Sequence, residues 1–423
     1  MKKRNRKISL INQIMIATVL GVLCGFLFQG AVSDLKIVGE LFLRLIQMSV
    51  VVLIMGAVIE AVGGLEAKEL GKIGLKVFLW FMGSTILAAI IGILFGLLFK
   101  PGVGLTTAAL QEEVVGMADA SLQEIILGFI PLNIIEAMAE ANMIQVIIFS
   151  LLFGLALSLI KEEKTNQLIL EWIIAFNNVI LKMVTLIMKA APIGIFCLIA
   201  SVVGEAGIQV LGTLVRFLVT LGIASLIFLV IWLLITAWYC KVGVFRLVKN
   251  MWRMSVISFT TTSSAVSLPV QIEDSREKLG ISDRISKLVV PLGMSLNSNG
   301  LAMFLSLSVI TFTQFYNVEL SVGKLIQIVL LSTLACLGTI VVPGGGLVAL
   351  ATVMPMLGLP TESIALLAGI DWFSGMFRTL LNVDADVTVA MIIACDENEL
   401  DYAIFNGEKR FSDDAKEFKI GDI

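Results

Sequence analysis

Residues 371–386 read DWFSGMFRTLLNVDAD and place polar and charged side chains inside the long apolar run 362–395. The polar positions are Asp371, Gly375, Arg378, Thr379, Asn382 and Asp386. Their spacing of mostly three or four residues predicts that they share one face of a helix. Each charge at membrane depth costs about 2.5–3.5 kcal/mol on insertion scales, so such a face points into a bundle or along a substrate path. The competing interpretation is an Arg–Asp pair that only locks helices together.

The rest of the chain has the composition of a membrane protein. Of its 423 residues, 58% are hydrophobic and 15% are charged, and the net charge is -3. A soluble domain is about 45–50% apolar and about 25% charged. Apolar runs predict spanning helices at 8–29, 38–63, 72–99, 135–160, 166–200, 208–239, 288–312 and 362–395. The runs 166–200 and 362–395 exceed a perpendicular crossing, so we expect tilt or extramembrane turns there.

Two further apolar segments are interrupted at their centres. The segment 254–273 contains TTTSSAVSLP at 260–269, and the segment 324–358 contains LGTIVVPGGG at 337–346. Unpaired backbone groups at membrane depth are tolerated only inside protein or along a cavity. We therefore expect two re-entrant helical hairpins with non-helical tips. A polar-rich span follows each of them, which predicts inverted repeats with a binding site at their interface.

A cluster of small polar residues in the seventh span predicts local unwinding. It consists of Ser295, Asn297, Ser298, Asn299 and Gly300. Unwound carbonyl groups can coordinate a dehydrated cation, whereas a polar kink satisfied by neighbouring helices is the alternative. In the last span, the Arg378 guanidinium suits a carboxylate and Asp386 suits a hard cation, which favours an anionic organic substrate. Asp384 lies off the polar face and is expected to point toward the inner surface.

Several functional classes find no support in the sequence. Histidine is absent, which removes the usual zinc ligand and the usual proton shuttle near neutral pH. The five cysteines show no metal-like spacing and are interpreted as small apolar residues. No Walker-type phosphate loop is present, and we expect neither an enzyme nor a nucleic-acid partner. Lys and Arg in the short loops predict cytoplasmic N- and C-termini in a plasma-membrane protein.

Four ordered motifs resemble the dicarboxylate/amino acid:cation symporter family, which includes the glutamate transporter homologues. SSAVSLP at 263–269 resembles the tip of that family's first hairpin, and PLG at 291–293 with NSNG at 297–300 resembles its Asn-Met-Asp-Gly-Thr region. GT at 338–339 with VPGGG at 342–346 resembles the second hairpin tip. GID at 369–371 with Arg378, Thr379, Asn382 and Asp386 resembles the last helix. The resemblance covers nearly the whole chain.

The resemblance implies an all-α polytopic protein with eight transmembrane helices, two re-entrant hairpins and inverted repeats. It also implies a homotrimer in the lipid bilayer that works by an elevator mechanism. The implied scaffold comprises 1–70 and 131–205. The implied transport domain comprises 71–130 with span 3 and an external loop, 206–253 with span 6, and the core 254–395. Residues 396–423 are expected to form a charged, partly disordered cytoplasmic tail.

The resemblance also implies roles for individual residues. Arg378 would hold the distal carboxylate of the substrate, and Asn382, Ser263 and Ser264 the other one. The remaining implied substrate-binding positions are Val342, Gly346, Gly375, Thr379 and Leu301. One sodium ion would be held by Gly293, Asn297, Asn382 and Asp386, and a second by Ser295, Cys336, Leu337 and Thr339.

Three positions depart from the family's pattern. Asn299 replaces the acid of a third sodium site that includes Ser84 and Thr85, so that site is expected to be weakened. Leu301 replaces a threonine, and Gly375 replaces the acid that pairs with an amino group. We therefore expect symport of a C4-dicarboxylate such as succinate, fumarate or malate, coupled to sodium, with protons as the alternative ion. The alternatives are a carrier of acidic or neutral amino acids, an anion channel, and a non-transporting binding protein.

Overall fold

The computed structural model describes residues 10–63, 72–103, 127, 130–140, 143–160, 163–206, 209–336 and 345–411. The helices of the first half are α1 (Leu10–Phe28), α2 (Lys36–Gly63), α3 (Lys72–Phe99), α4 (Ile134–Ala139), α5 (Met143–Leu159), α6 (Glu163–Ile187), α7 (Ala191–Ala206) and α8 (Gln209–Tyr239). Those of the second half are α9 (Val244–Thr261), α10 (Ser264–Glu277), α11 (Asp283–Leu296), α12 (Asn299–Phe315), α13 (Val322–Leu334), α14 (Gly345–Met356), α15 (Ile364–Ala368), α16 (Asp371–Asp396) and α17 (Tyr402–Phe405). Within these ranges, β pairing is limited to one bridge between Ile281 and Leu400. The predicted all-α class is therefore confirmed.

Three stretches of the described residues are each long and apolar enough to cross a membrane: Ile73–Phe99, Leu211–Tyr239 and Asp283–Phe315. A fourth candidate is the pair Ile16–Val32 and Lys36–Phe42, with a bend of 117° between its two segments. The predicted run 166–200 is broken by a 3-10 turn at Met188–Ala190. The last long helix, α16, is not among these candidates because the stripe gives it too many charged residues. The count of eight spans remains a prediction.

The helices pack in two groups, and helices of one group also contact helices of the other. In the first group α1 lies against α7, and α2 contacts α5, α6 and α7. In the second group α3 lies against α12 and α8, and α16 contacts α8, α9, α11 and α12. Both groups use glycine for close approach, since a Cβ on Gly25 would lie 2.6 Å from the Ala200 oxygen and one on Gly92 would lie 2.7 Å from the Met303 oxygen. Small residues at such crossings let helix backbones approach within van der Waals contact.

The helices α9 and α10 form an antiparallel hairpin. The chain reverses at Thr262, whose backbone is left-handed with φ 51° and ψ 32°, and Ser263 then caps α10. Arg253 joins the two arms because its guanidinium lies 2.9 Å from Glu273 Oε2 and 3.2 Å from Asp274 Oδ1. The predicted helix–break–helix arrangement is therefore present. Its arms extend well beyond the predicted 254–273.

The second interrupted segment also consists of two helices, α13 and α14, which both pack against α12. Its predicted tip at 337–344 lies outside the described residues. The seventh span is interrupted at its polar cluster, where Asn297 and Ser298 leave the helical conformation with φ of -112° and -144°. The predicted unwinding is confirmed.

The predicted tail begins with a packed segment rather than a solvated one. After α16, the Asp401 amide donates to the Gly280 oxygen at 2.8 Å, and the Ser282 amide donates to the Glu399 oxygen at 3.1 Å. Phe405 on α17 is only 2% exposed. The sequence analysis missed the apolar residues of YAIF at 402–405 because charged residues flank them on both sides.

Candidate functional site

Arg378 lies on α16, two turns after Asp371. Its Nη2 donates to Asp371 Oδ1 at 2.6 Å and to the Asp371 backbone oxygen at 3.1 Å. The two side chains are 12% and 13% exposed. This pair lies within one helix, so it does not lock two helices together, which was the competing interpretation of the polar stripe. The Arg378 Nε is buried and has no acceptor among the described residues, which leaves part of the guanidinium for another anion.

Residues of two other helices, α12 and α14, approach the guanidinium of Arg378. The Phe304 ring of α12 lies 4.7 Å from Arg378 Cζ. Gly346 of α14 is so close that a Cβ there would lie 1.5 Å from Arg378 Nη1. A Cβ on Gly375 would lie 3.4 Å from Arg378 Nη2 and 3.8 Å from the Cβ of Thr262 at the tip of the first hairpin. Sequence reasoning missed Thr262, although it belongs to the hydroxyl-rich run quoted above.

A second polar centre lies about two turns further along α16. Asn297 Nδ2 donates to Asp386 Oδ1 at 2.7 Å and to the backbone oxygen of Asn382 at 3.3 Å. Asn382 Oδ1 accepts from the Gly300 amide at 2.8 Å, which joins the unwound segment to α16. The backbone of Gly293 packs against Asp386, since a Cβ there would lie 2.4 Å from Asp386 Oδ1. The structure therefore brings the four predicted residues of the first cation site together.

The donor set of this centre fits a hard cation. Asp386 Oδ2 and Asn297 Oδ1 are both buried, and within the described part of the chain neither accepts a hydrogen bond. A buried oxygen without a donor is costly unless another positive partner satisfies it. Oxygen ligands at an interrupted helix are the means by which transporters hold sodium. The chemistry of these two oxygens suits a hard cation, for which Asp386 would supply the compensating negative charge.

The three residues of the predicted third cation site also lie together. Ser84 Oγ and Thr85 Oγ1 of α3 donate to Asn299 Oδ1 of α12 at 3.1 and 2.9 Å. All three residues are buried. The amide oxygen thus accepts directly from the two hydroxyls that in the family's pattern surround an ion. This contact joins α3 to α12.

The remaining predicted site residues fall into two sets. Ser264, Thr379 and Leu301 are buried, and Ser263 Oγ accepts from the Val266 amide at 3.4 Å. Cys336 is also buried, and its thiol donates to the Ser332 oxygen at 3.0 Å. Leu337, Thr339, Val342 and the side chain of Ser295 lie outside the described residues. The second predicted cation site and the predicted substrate-binding position Val342 therefore remain predictions.

The expectation for Asp384 was wrong. This residue is 5% exposed and accepts a hydrogen bond from Ser255 Oγ of α9 at 2.7 Å. It does not point toward the inner surface, because the first hairpin packs over that side of α16. Asp384 is therefore a buried carboxylate outside the two polar centres.

Replacing Gly346 by alanine is expected to weaken carboxylate binding without unfolding the protein. The new Cβ would displace the flexible end of Arg378 rather than a backbone, so the cost falls on the position of the guanidinium. We expect the substrate KM to rise about tenfold, equivalent to about 1.4 kcal/mol. Gly83→Ala is the control, since nothing lies within 4 Å of its added Cβ. Uptake assays on both variants test this, and an unchanged KM for Gly346→Ala would place Gly346 outside the substrate site.

These features define the class of protein. A partly buried guanidinium and an incompletely satisfied carboxylate lie where interrupted helices meet, inside an apolar bundle. Such a site belongs to secondary membrane transporters with broken helices. The sequence model of the sodium:dicarboxylate symporter family matches residues 10–395, and the chain belongs to that family. It is a membrane symporter and not an enzyme, as the sequence predicted.

Three relatives illustrate the range of the family. The chain is 32% identical over 389 residues to a proton/glutamate-aspartate symporter of Bacillus subtilis (strain 168), covering 90% of this chain and 93% of the relative. It is 31% identical over 417 residues to the Escherichia coli (strain K12) symporter of the same description, covering 94% and 95%. It is 29% identical over 404 residues to a C4-dicarboxylate transport protein of Anaeromyxobacter sp. (strain K), covering 93% and 91%.

Proposed function

We propose that this chain transports a C4-dicarboxylate without an amino group, such as succinate, fumarate or malate, in symport with cations. The observation that carries the proposal is the pairing of an available guanidinium at Arg378 with a glycine at position 375. A guanidinium binds a carboxylate through two parallel hydrogen bonds. Relatives are described both as glutamate-aspartate symporters and as C4-dicarboxylate transport proteins, so the family name alone does not select the substrate.

Gly375 argues against an ammonium group in the substrate. A Cβ at this position would lie 3.4 Å from Arg378 Nη2 and 3.8 Å from Thr262 Cβ, so a carboxylate side chain here would lie beside the guanidinium. Without that carboxylate, an ammonium would be desolvated beside a guanidinium of the same charge. Burying an unpaired charge costs several kcal/mol, whereas a dicarboxylate carries no such group.

An acidic amino acid is the second candidate, and Asp371 is the observation that favours it. Its carboxylate lies 2.6 Å from Arg378 Nη2 and is 13% exposed, so it is the nearest negative charge to the guanidinium. Bound substrate could displace it from Arg378 and pair its own ammonium with it. Asp371 would then replace the missing acid at position 375.

For the coupling ion we propose sodium, held by Gly293, Asn297, Asn382 and Asp386. The buried oxygens of Asn297 and Asp386 without donors support this assignment. The direct contact of Asn299 with Ser84 and Thr85 supports a lower stoichiometry than the family's pattern implies. Protons are the alternative ion, and because histidine is absent a carboxylate would have to carry them.

We further propose that the two packing groups are a scaffold and a moving transport domain. The helices α1, α2, α5, α6 and α7 would form the scaffold of a homotrimer, and the remaining long helices would move as an elevator. The protein would lie in the plasma membrane with both termini in the cytoplasm. Cross-linking of cysteine pairs between the groups tests the motion, and the mass of the purified complex tests the trimer.

The deciding experiment measures uptake of labelled succinate and labelled aspartate into proteoliposomes. Each is measured with an inward sodium gradient, with an inward proton gradient and with neither. Sodium-driven succinate uptake that excess aspartate leaves unchanged supports the proposal. Sodium-driven aspartate uptake selects the second candidate. Uptake of either that only runs downhill favours a channel, and binding without flux favours a non-transporting protein.

Gly375→Asp is expected to shift the preference toward aspartate. An added Cβ has ordinary contact distances of 3.4 Å or more, and its nearest neighbour is the flexible end of Arg378, so the protein should accept the substitution. It would supply a partner for an ammonium and repel the second carboxylate of succinate. We expect the ratio of aspartate to succinate uptake to rise at least tenfold, or about 1.4 kcal/mol. Gly375→Asn is the matched control without charge, and the proposal fails if both variants shift the ratio equally.

A further inference from the structure

A cavity of about 420 Å³ opens between the start of α9 and the segment that follows α16. It is remote in sequence from Arg378 and shares no residue with the candidate site. Its charged lining residues are Arg246, Lys249, Lys278, Lys409, Arg410 and Glu277. Five of these six are basic, so the cavity has the sign that suits an anion.

Neighbouring carboxylates neutralise only part of this positive charge. Lys278 pairs with Asp274 at 2.9 Å, and Lys409 pairs with Asp401 at 3.0 Å. For Arg246, Lys249 and Arg410 the described residues provide no carboxylate partner; Arg246 Nη1 donates instead to the neutral Asn406 amide oxygen at 3.2 Å. Several bases without carboxylate partners repel one another within one concave surface, and a bound anion reduces this repulsion.

The walls of the cavity are held by specific contacts. Asn250 Nδ2 donates to the Lys278 oxygen at 2.8 Å and to the Phe405 oxygen at 3.2 Å, which joins α9 to the α10–α11 turn and to α17. On the far side, the Phe411 ring lies 4.5 Å from Arg276 Cζ. The part of the wall formed by α9, the α10–α11 turn and α17 is therefore packed, and the exposed segment 407–410 adds Lys409 and Arg410 to it.

The helix that supplies Arg246 and Lys249 also exposes an apolar face. Phe245 is 90% exposed and Trp252 is 66% exposed, and Val248 lies between them on the same face. A helix with basic residues beside exposed aromatic ones lies at a membrane surface. The cytoplasmic leaflet carries anionic lipids that attract such segments. This placement follows the proposed orientation, which puts the Lys- and Arg-rich turns in the cytoplasm.

We propose that this cavity binds the phosphate of an anionic phospholipid from the cytoplasmic leaflet. Arg246 and Lys249 would hold the phosphate, while the acyl chains would extend over the apolar face of α9. A free phosphate-bearing anion has the same recognition chemistry, and the exposed aromatic residues favour the lipid source. The cavity would then couple the first hairpin to the membrane surface.

The test uses the purified chain in an uncharged detergent. The chain includes Asp413 and Asp414, which act as acidic competitors for the bases. The midpoint of thermal unfolding is measured with dihexanoylphosphatidylglycerol, with dihexanoylphosphatidylcholine and with inorganic phosphate at constant ionic strength. We expect phosphatidylglycerol alone to raise the midpoint, by about 2 °C near saturation. The double variant Arg246→Gln/Lys249→Gln should lose this shift. The matched double variant Arg216→Gln/Lys324→Gln, with its bases at the opposite end of the bundle, should keep it.

Four results would overturn the proposal in whole or in part. An equal shift with inorganic phosphate keeps the anion site and overturns the lipid as its source. An equal shift with phosphatidylcholine, or no shift in the unaltered protein, overturns the site itself, and a shift retained by the Arg246/Lys249 variant overturns its location. None of these readouts involves uptake, so their failure leaves the proposed transport function unaffected.

Discussion

Removing the guanidinium of Arg378 is expected to abolish carboxylate transport. Arg378→Gln should lower kcat/KM for the transported dicarboxylate about 100-fold, since truncating one side of a buried charged pair costs about 2–5 kcal/mol. Arg378→Lys should recover only part of this loss, because an ammonium keeps the charge and lacks the planar fork. Uptake into proteoliposomes at varied substrate concentration measures both variants.

The neighbouring Asp371 requires a control for this experiment. Arg378→Gln leaves the Asp371 carboxylate without its partner at 2.6 Å, which by itself could destabilise α16. The double variant Asp371→Asn/Arg378→Gln removes that unpaired charge, and Asp371→Asn alone retains the guanidinium. We expect the double variant to remain inactive and Asp371→Asn to bind succinate. Succinate and aspartate uptake within threefold of normal in the double variant would exclude Arg378 as the carboxylate site.

Asp386→Asn is expected to weaken binding of the coupling cation. The substitution is nearly isosteric, and the new amide oxygen can still accept from Asn297 Nδ2, so the fold should survive. The substitution replaces the buried Oδ2, which lacks a donor, by an amide NH2 group, and the partial positive charge of its hydrogens repels a cation. We expect the sodium concentration for half-maximal uptake to rise at least tenfold, or about 1.4 kcal/mol.

Asp384→Asn is the matched control two residues away. Asp384 is also buried and also accepts one hydrogen bond, from Ser255, so both variants remove one buried charge from the same helix. We expect Asp384→Asn to leave the half-maximal sodium concentration unchanged. Equal effects of the two substitutions would mean that general charge loss in α16, rather than a cation at Asp386, explains the result. If neither substitution matters under a sodium gradient, the coupling ion lies elsewhere.

Helix boundaries show where local patterns were insufficient. The arm α9 begins at Val244, ten residues before the predicted hairpin. The prediction was too short because Arg246, Lys249 and Arg253 interrupt the apolar pattern, so this stretch resembles a loop. The predicted run 166–200 has a 3-10 turn at Met188–Ala190, and Pro192 follows in the first turn of α7, where the missing amide of proline is tolerated. An apolar run indicates burial in lipid. It does not show where a helix breaks when the residues at the break are also apolar.

The sequence by itself determined the helical membrane class, the polar stripe of α16, the breaks near Thr262 and Asn297, and the family. These follow from local composition and spacing, because a polar group at membrane depth must be satisfied by its own segment or by a partner. Only the tertiary structure decided that Asp371 pairs with Arg378, that Gly346 lies against the guanidinium, and that two oxygens of Asn297 and Asp386 remain without donors. It alone brought Arg246 and Lys249 beside Lys409 to form a basic cavity. Periodicity describes one helix at a time, whereas these sites depend on how close separate helices approach and which atoms then remain unpaired.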